Sequence, residues 1–318
     1  MRGLGVRLPT SRSTVWKILD RAKRIARRAA RQHEPLPLVG PMTSWELDFT
    51  DVPSVPATPG GKQQHVVEAL NVVDCGTSLL VESFAGDDYT AETTLLAVRD
   101  LLVAHGLPPQ LRFDRDPRLV GSAASDLFPS ALVRFLLCLD IDVDICPPHQ
   151  PQDKPYVERF NRTLKAECLR PAHPKTLADT QAAIQGFQNL YNHERPHQGR
   201  ACANQPPRVA FPTLPALPPP PPTVDPDRWL AHFHPRPFTR RVSPAGSIKL
   251  GKHAYYLSRQ WRGRLVTVYL DAPQHVFHIQ LAGQLVKTLS IKGLVGHELS
   301  FEDFTERLAL EARSEWKA

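Results

Sequence analysis

Apolar residues recur at regular intervals along the first two-thirds of the chain, and their spacing separates strands from helices. In residues 43–52, Trp45, Leu47 and Phe49 alternate with polar residues, which is typical of a strand with one buried face. The same reasoning predicts further strands at 65–74, 78–84, 110–114 and 142–146, and helices at 89–105, 128–139, 154–169 and 176–192. The element order β-β-β-α-β-α-β-α predicts an α/β fold, in which a mixed β-sheet is flanked by helices.

The last third of the chain changes character twice. Residues 206–227 are rich in proline, which predicts an extended, semi-rigid linker that acts as a spacer. Five short apolar stretches separated by turn residues then fill 247–290, and they predict a small C-terminal β-barrel domain over 228–295. A C-terminal helix is expected within 296–318.

A predicted helix at 11–32 is strongly basic and has too few apolar residues to bury a face of its own. Its basic residues include Arg21, Lys23, Arg24, Arg27 and Arg28. We expect residues 1–40 to be the remnant of a helix-turn-helix unit followed by a basic linker. Because the chain starts only ten residues before this helix, we expect the preceding helices of such a unit to be missing.

The net charge of +7 hides a strong asymmetry along the chain. Residues 1–40 carry +8 and residues 228–292 carry +10, whereas residues 41–227 carry −8. Two basic flanks around an acidic centre indicate a polyanionic partner, with some of the central acids holding metal ions. The alternative is that the basic segments are merely solvated surface.

Composition also limits the cellular setting. No apolar run reaches membrane-spanning length, and no apolar stretch follows the basic N-terminus as in a secretory signal. The five cysteines are scattered without a Cys-x-x-Cys pair, so neither a disulfide framework nor a cysteine zinc site is indicated. We therefore expect a cytoplasmic protein without membrane association.

Three carboxylates stand out by their positions in the predicted elements. Asp48 lies within an apolar strand, where an unpaired charge is costly, and Asp114 ends the strand 110–114. Glu158 lies on a helix face that it shares with Arg162 and Lys165, away from the apolar face. Taken alone, Glu158 and Arg162 could be a surface pair worth a few tenths of a kcal/mol.

Acids without a histidine or cysteine cluster suit oxygen-seeking cations such as Mg²⁺ or Mn²⁺. Two such ions, roughly 3.5–4 Å apart, clamp the attacking and leaving oxygens in phosphoryl displacement. The three carboxylates therefore predict a site for about two divalent ions.

Four stretches resemble the catalytic core of bacterial insertion-sequence transposases of the retroviral-integrase type. They are WELDFTDV, LRFDRDP, PPHQPQDKPYVERFNRTLKAECL and YNHERPHQGR. The resemblance implies a ribonuclease H-like core over 41–205, with Asp48, Asp114 and Glu158 as the catalytic, metal-binding acids. It also implies that Arg162 and Lys165 contact DNA. The last stretch implies a structural block of Tyr191, Asn192, Arg195 and Pro196, with a structural role for Arg195.

The sequence departs from the family pattern at two places. Arg115-Asp116 and Asp153-Lys154 stand where that family often has Asn-Gly, and 43 residues separate Asp114 from Glu158, more than is usual. An insertion in a surface loop is tolerated. The departures nevertheless leave Asp116 as a rival of Asp114, and Asp51 is a rival of Asp48.

The predicted C-terminal barrel combines aromatic and basic residues. We expect it to bind the DNA backbone through Lys249, Lys252, Arg259, Arg262 and Arg264. A protein–protein assembly module is the alternative. His232, His234, His275 and His278 are not expected to form a metal site.

The expected function is that of a transposase, a DDE-type polynucleotidyl transferase. By resemblance, it cleaves DNA strands at insertion-element ends with divalent metal and transfers them to a target. Its partners would be double-stranded DNA and further copies of the chain, without a small-molecule cofactor, in the nucleoid of a bacterial cytoplasm. Two alternatives remain open: a DNA-binding protein without catalysis, and a ribonuclease H-like nuclease acting on RNA–DNA hybrids.

Overall fold

A five-stranded sheet lies at the centre of the fold in a computed structural model. The structure describes residues 39–56, 66–121, 129–147, 154–199, 201–232, 237–251 and 253–315. The strands of this sheet are β1 (Ser44–Pro56), β2 (Val66–Asp74), β3 (Leu80–Gly86), β4 (Gln110–Phe113) and β5 (Asp142–Ile145). Their order is β3-β2-β1-β4-β5; β1, β2 and β3 are antiparallel neighbours, and β4 runs parallel to both β1 and β5. The predicted mixed sheet is confirmed.

Helices pack on both faces of this sheet. The helices of the described residues are α1 (Ala91–His105), α2 (Pro117–Val120), α3 (Ala131–Cys138), α4 (Pro155–Thr163), α5 (Arg170–Ala172), α6 (Leu177–His193), α7 (Pro207–Ala210), α8 (Trp229–His232) and α9 (Phe301–Glu315). A π-helical segment, Leu164–Leu169, joins α4 to α5. Thr90 and Thr176 close reciprocal capping boxes that fix where α1 and α6 begin.

Strand alternation sends the side chains of β1 to two different cores. Trp45 and Leu47 are fully buried in a cluster shared with α1 and α3. Val52 lies on the opposite face, in a second cluster with Val157 and Phe160 of α4. Because successive residues of a strand point to opposite faces, the even-numbered Asp48 lies on the α4 side of the sheet.

The proline-rich segment packs on the rest of the protein, and its residues Pro207–Ala210 form the short helix α7. Its role as an extended spacer stays a prediction. The N–H of Leu107 donates to the carbonyl of Pro218 at 2.8 Å, and Leu217 is packed against the core. Thr223 and Val224 then pair with Leu299 and Ser300 in a short two-stranded sheet, β6 (Thr223–Val224) with β13 (Leu299–Ser300). The segment therefore contributes packing as well as length.

Six strands of the described residues 237–290 form two antiparallel sheets. They are β7 (Phe238–Arg241), β8 (Ser247–Leu250), β9 (His253–Tyr256), β10 (Leu265–Asp271), β11 (Val276–Leu281) and β12 (Gln284–Ser290). One sheet has the order β12-β11-β10-β7, and the other is the hairpin β8-β9. Tyr255 packs edge-on against Phe277 at 5.5 Å between ring centroids, so the two sheets share a buried interior. The five predicted strands of this region are present, β7 was not predicted, and the closed barrel stays a prediction.

The C-terminal helix packs against the central domain. Phe304 of α9 is fully buried and stacks on Phe135 of α3, with 5.6 Å between ring centroids. Arg134 and Glu311 pair at 2.8 Å beside this contact. Residues 40–318 form one compact unit, and the boundaries predicted within it stay a prediction. None of the described helices combines the length and apolar character needed to cross a membrane.

Candidate active site

The strand register brings two of the predicted acids together. β1 and β4 are parallel, with Trp45 paired to Leu111 and Glu46 paired to Arg112. Two residues further along this register, Asp48 is level with Asp114, which directly follows β4. Asp48 and Asp114, which are far apart in the sequence, therefore lie next to each other on neighbouring strands.

Lys154 joins these two carboxylates. Its Nζ lies 2.6 Å from Oδ1 of Asp48 and 3.0 Å from Oδ2 of Asp114. The Lys154 side chain is only 4% exposed, whereas that of Asp114 is 47% exposed. A buried ammonium thus lies between two carboxylates, one of which opens to solvent.

A chain of hydrogen bonds fixes the second oxygen of Asp48. Nδ2 of Asn161 donates to Oδ2 of Asp48 at 2.8 Å, and Nδ2 of Asn71 donates to Oδ1 of Asn161 at 2.8 Å. The Ser83 hydroxyl in turn donates to Asn71 at 2.5 Å. Asn71 lies opposite Asp48 on β2, so strand pairing puts this network in place. Sequence reasoning missed these polar residues because their partners are distant in the chain.

The helix that carries Glu158 is held by a carboxylate from β1. Oε2 of Glu46 accepts hydrogen bonds from the backbone N–H groups of Tyr156 at 2.8 Å and Val157 at 2.9 Å. These are N–H groups of the first turn, which have no partner within a helix. Glu46 therefore caps α4 from the sheet and fixes its start beside Asp48.

Burial dominates the electrostatics of the site. It raises the pKa of Asp48; Lys154 opposes this rise, and the negative charge of Asp114 adds to it. Burial also raises the pKa of Glu158, with the neighbouring Asp48 adding to the effect. Burial lowers the pKa of Lys154, but Asp48 and Asp114 outweigh it and raise that pKa above its ordinary value. Asp48, Asp114, Lys154 and Glu158 thus form one interacting cluster.

The two rival aspartates have other surroundings. Asp116 caps α2 through the N–H of Arg118 and pairs with the Arg118 guanidinium at 2.7 Å. Burial opposes ionisation of Asp116, but the hydrogen bonds from Arg118 prevail and hold its pKa below the usual range. Asp51 is exposed, three residues after Asp48 in the strand. The contacts of Asp116 explain it as a structural residue.

The donor chemistry of the cluster suits a hard cation, and Lys154 already stands in for one. Oxygens of Asp48 and Asp114 both contact its ammonium. Within the described part of the chain, however, no three His, Cys, Asp or Glu residues are arranged to hold a metal ion. The carboxylates of Asp48 and Asp114 are therefore close enough to contact one cation. A metal site in which Glu158 is the third ligand stays a prediction.

The predicted DNA contacts fall into three groups. Arg162 is exposed one turn after Glu158, and Lys165 lies in the π-helical segment; such segments often occur at functional sites. Lys249 is exposed in strand β8, and the exposed residues Arg259, Arg262 and Arg264 lie in the connection between β9 and β10. Outside the described residues lie Arg21, Lys23, Arg24, Arg27, Arg28 and Lys252.

Strand β7 carries two further arginines, Arg240 and Arg241, close to the basic residues named above. Nε of Arg240 lies 3.3 Å from the carbonyl of Lys249, and Nη1 of Arg241 lies 2.7 Å from the carbonyl of Gly263. Gly263 is flanked by Arg262 and Arg264 in the sequence. Arg240 and Arg241 were not predicted as DNA contacts, because the periodicity of the sequence does not indicate their strand.

The residues of the YNHERPHQGR stretch make structural contacts. Tyr191 packs edge-on against Phe160 of α4 at 5.0 Å between ring centroids. Asn192 bonds both the N–H and the carbonyl of Leu80, and Arg195 pairs with both carboxylate oxygens of Glu167. Through Tyr191, this block packs against α4, the helix that carries Glu158.

The histidines of the C-terminal region have partners of their own. His278 contacts Asp271 at 3.3 Å and Thr288 at 3.1 Å, and His232 lies 3.5 Å from Asp140. His234 lies outside the described residues. The contacts of His232 and His278 are those of surface polar pairs.

Comparison with known proteins adds two sequence matches. A family model described as an integrase core domain matches residues 139–207, which contain Glu158 and the helices after it. The insertion element IS407 uncharacterized 31.7 kDa protein of Burkholderia multivorans (strain ATCC 17616 / 249) is 29% identical over 184 residues. This alignment covers 54% of the chain and 59% of that relative. The resemblance to insertion-sequence transposases with an integrase-type core is confirmed.

Solved structures give weaker likenesses. The catalytic core domain of HTLV-2 integrase, determined in complex with magnesium in a trimeric form, is 14% identical with a TM-score of 0.39, covering 55% of this chain and 99% of that one. A chain of the simian T-cell lymphotropic virus intasome in complex with PP2A regulatory subunit B56 gamma is 16% identical with a TM-score of 0.42. That match covers 82% of this chain and 80% of the other.

Proposed function

We propose that the chain is a DDE-type transposase that cleaves the DNA ends of an insertion element and joins them to a target. The observation that carries the proposal is the convergence of Asp48 and Asp114 on one cation position, with Glu158 on the adjacent helix. The ribonuclease H-like character of the core is part of the same proposal.

Asp48, Asp114 and Glu158 would hold Mg²⁺ or Mn²⁺. When bound, two divalent ions supply Lewis-acid stabilisation of the attacking and leaving oxygens. The protein's own contribution is to hold the carboxylates in place. Asn161 fixes Asp48 by a 2.8 Å hydrogen bond, and Glu46 fixes the start of the helix that carries Glu158. Side chains that are already fixed by hydrogen bonds lose little conformational entropy when they bind a metal ion. These hydrogen bonds therefore favour metal binding.

Two basic surfaces would hold the DNA backbone. Arg162 lies one turn from Glu158, close to where a scissile phosphate must lie. The exposed residues Lys249, Arg259, Arg262 and Arg264 supply a second, sequence-independent contact through phosphates. Pairing two element ends requires more than one active site, so we also propose a homo-oligomer as the working form.

The test uses duplex DNA from the sequence that flanks the gene, where the proposed function requires inverted repeats. Wild-type protein with this duplex and Mg²⁺ is expected to give nicked and strand-transferred products, whereas Asp114→Asn gives none. Asp87→Asn, which neutralises an exposed carboxylate outside the cluster, is the matched control and keeps the activity. Equal products from wild type and Asp114→Asn would refute the catalytic role of the cluster.

A DNA-binding protein without catalysis is the second candidate. It is favoured by the position of Lys154, whose ammonium contacts both aspartates where a metal ion would be bound. Gel-shift binding of the repeat DNA, combined with no product in Mg²⁺ or Mn²⁺, would select this candidate over a transposase.

A further inference from the structure

Lys154 has an unusual environment for a lysine at the start of a helix. It is 3% exposed and directly precedes α4. The ammonium reaches across to β1 and to the end of β4, where it contacts Asp48 and Asp114. Lysine is seldom buried unless it is paired, so these two carboxylates account for its burial.

The contacts also account for the closeness of the two aspartates. Two carboxylates that face the same space repel each other, and a cation between them removes this repulsion. Lysine supplies a compact point charge on a flexible stem, and it can occupy and leave such a position without backbone movement. Mg²⁺ would require oxygens at about 2.0–2.1 Å, so it cannot share that position with the ammonium.

We infer that Lys154 is a positioning residue: a tethered cation that holds Asp48 and Asp114 together and that a divalent ion must displace before it binds. The inference rests on the proposed function only in taking these aspartates as metal ligands. Lys154 thereby organises the site before metal arrives and raises the metal concentration required to fill it.

The test measures metal binding by the full chain without DNA. Free Mn²⁺ is followed by electron paramagnetic resonance during titration of metal-stripped wild type, Lys154→Met and Lys154→Gln. Because removal of one unit charge at contact distance changes the electrostatic energy of a bound cation strongly, we expect both variants to bind Mn²⁺ at least about ten-fold more tightly. Without metal, both variants are expected to melt at a lower temperature than wild type, since the aspartates lose their partner.

Two further variants localise the effect. Lys175→Met removes an exposed lysine and is expected to leave Mn²⁺ affinity unchanged. Adding Asp114→Asn to Lys154→Met is expected to abolish the gain. Unchanged or weaker Mn²⁺ binding by Lys154→Met and Lys154→Gln, including no binding by any variant, overturns the inference. A merely structural lysine gives that weaker binding. Strand transfer is scored separately, so the competition can hold where the proposed activity fails, and the reverse.

Discussion

The most direct test of how the sheet holds the Glu158 helix is the substitution Glu46→Gln. Glu46 is fully buried, and its Oε2 accepts the N–H groups of Tyr156 and Val157. Its Oε1 lies 3.8 Å from Nη1 of Arg112. A glutamine can accept the same two hydrogen bonds through its amide oxygen, so the substitution removes the ionisation while it keeps the cap.

The magnitude follows from the pKa of Glu46, which burial raises from 4.5 to about 7 against the opposing backbone hydrogen bonds. Between pH 4.5 and about 7, the Glu46 carboxyl is ionised in the unfolded chain but protonated in the folded protein. The stability contributed by Glu46 is therefore complete below pH 4.5 and is lost as the pH rises through 7. At about 1.4 kcal/mol for each pKa unit, the loss is at most about 3 kcal/mol.

Urea denaturation in EDTA, at intervals from pH 4.5 to 8.5, measures this effect. Wild type and Glu46→Gln are expected to be similar in stability at pH 4.5. The variant then gains on wild type up to about 3 kcal/mol by pH 8.5, because only wild type must ionise a buried carboxyl. Glu302→Gln alters an exposed glutamate of α9 and should keep a constant difference from wild type. A difference between wild type and Glu46→Gln that stays within about 0.5 kcal/mol across this range would refute the reasoning.

Two further substitutions test other parts of the structure. Phe304→Ala should cost about 3–5 kcal/mol in free energy of unfolding, because it empties a fully buried position stacked on Phe135, whereas Leu310→Ala, at a 62% exposed position, should cost far less. Equal costs would show that α9 does not pack on the core. Asp116→Ala should lower stability by about 0.5–2 kcal/mol through loss of the α2 cap, yet leave Mn²⁺ affinity and strand transfer unchanged. Loss of metal binding in Asp116→Ala would instead make Asp116 the ligand.

The central sheet could be predicted because its signal is local. Alternation of Trp45 and Leu47 with polar residues marks β1 and also assigns Asp48 to the opposite face from these two residues. The proximity of Asp48 and Asp114 required the parallel pairing of β1 with β4, which the motif resemblance implied and periodicity alone could not give. The local hydrophobic pattern thus predicted the strands and helices, whereas the family resemblance predicted that Asp48 and Asp114 lie close together.

The elements and contacts that were missed depend on tertiary structure. Strand β7 has the sequence FTRR, with Phe238 as its only apolar residue, so its strand character comes from pairing with β10. The composition of the proline-rich segment predicts an extended linker. It does not predict the hydrogen bond that the N–H of Leu107 donates to the carbonyl of Pro218. Lys154 precedes its helix without any periodic signal, and its partner Asp48 lies 106 residues away.

The two departures from the family pattern meet at a single side chain. Asp116, from the first departure, donates its N–H to Oδ1 of Asp114 at 2.9 Å. Lys154, from the second, contacts Oδ2 of the same carboxylate at 3.0 Å. Both oxygens of Asp114 are therefore engaged by residues where the family often has Asn-Gly, and Asp116 is itself held by Arg118. Asp114 is thus positioned by one backbone N–H and one ammonium, and of these two contacts only that of Lys154 depends on the side chain that replaces the family's usual residue. Lys154 is therefore the part of the altered site that a metal ion must displace.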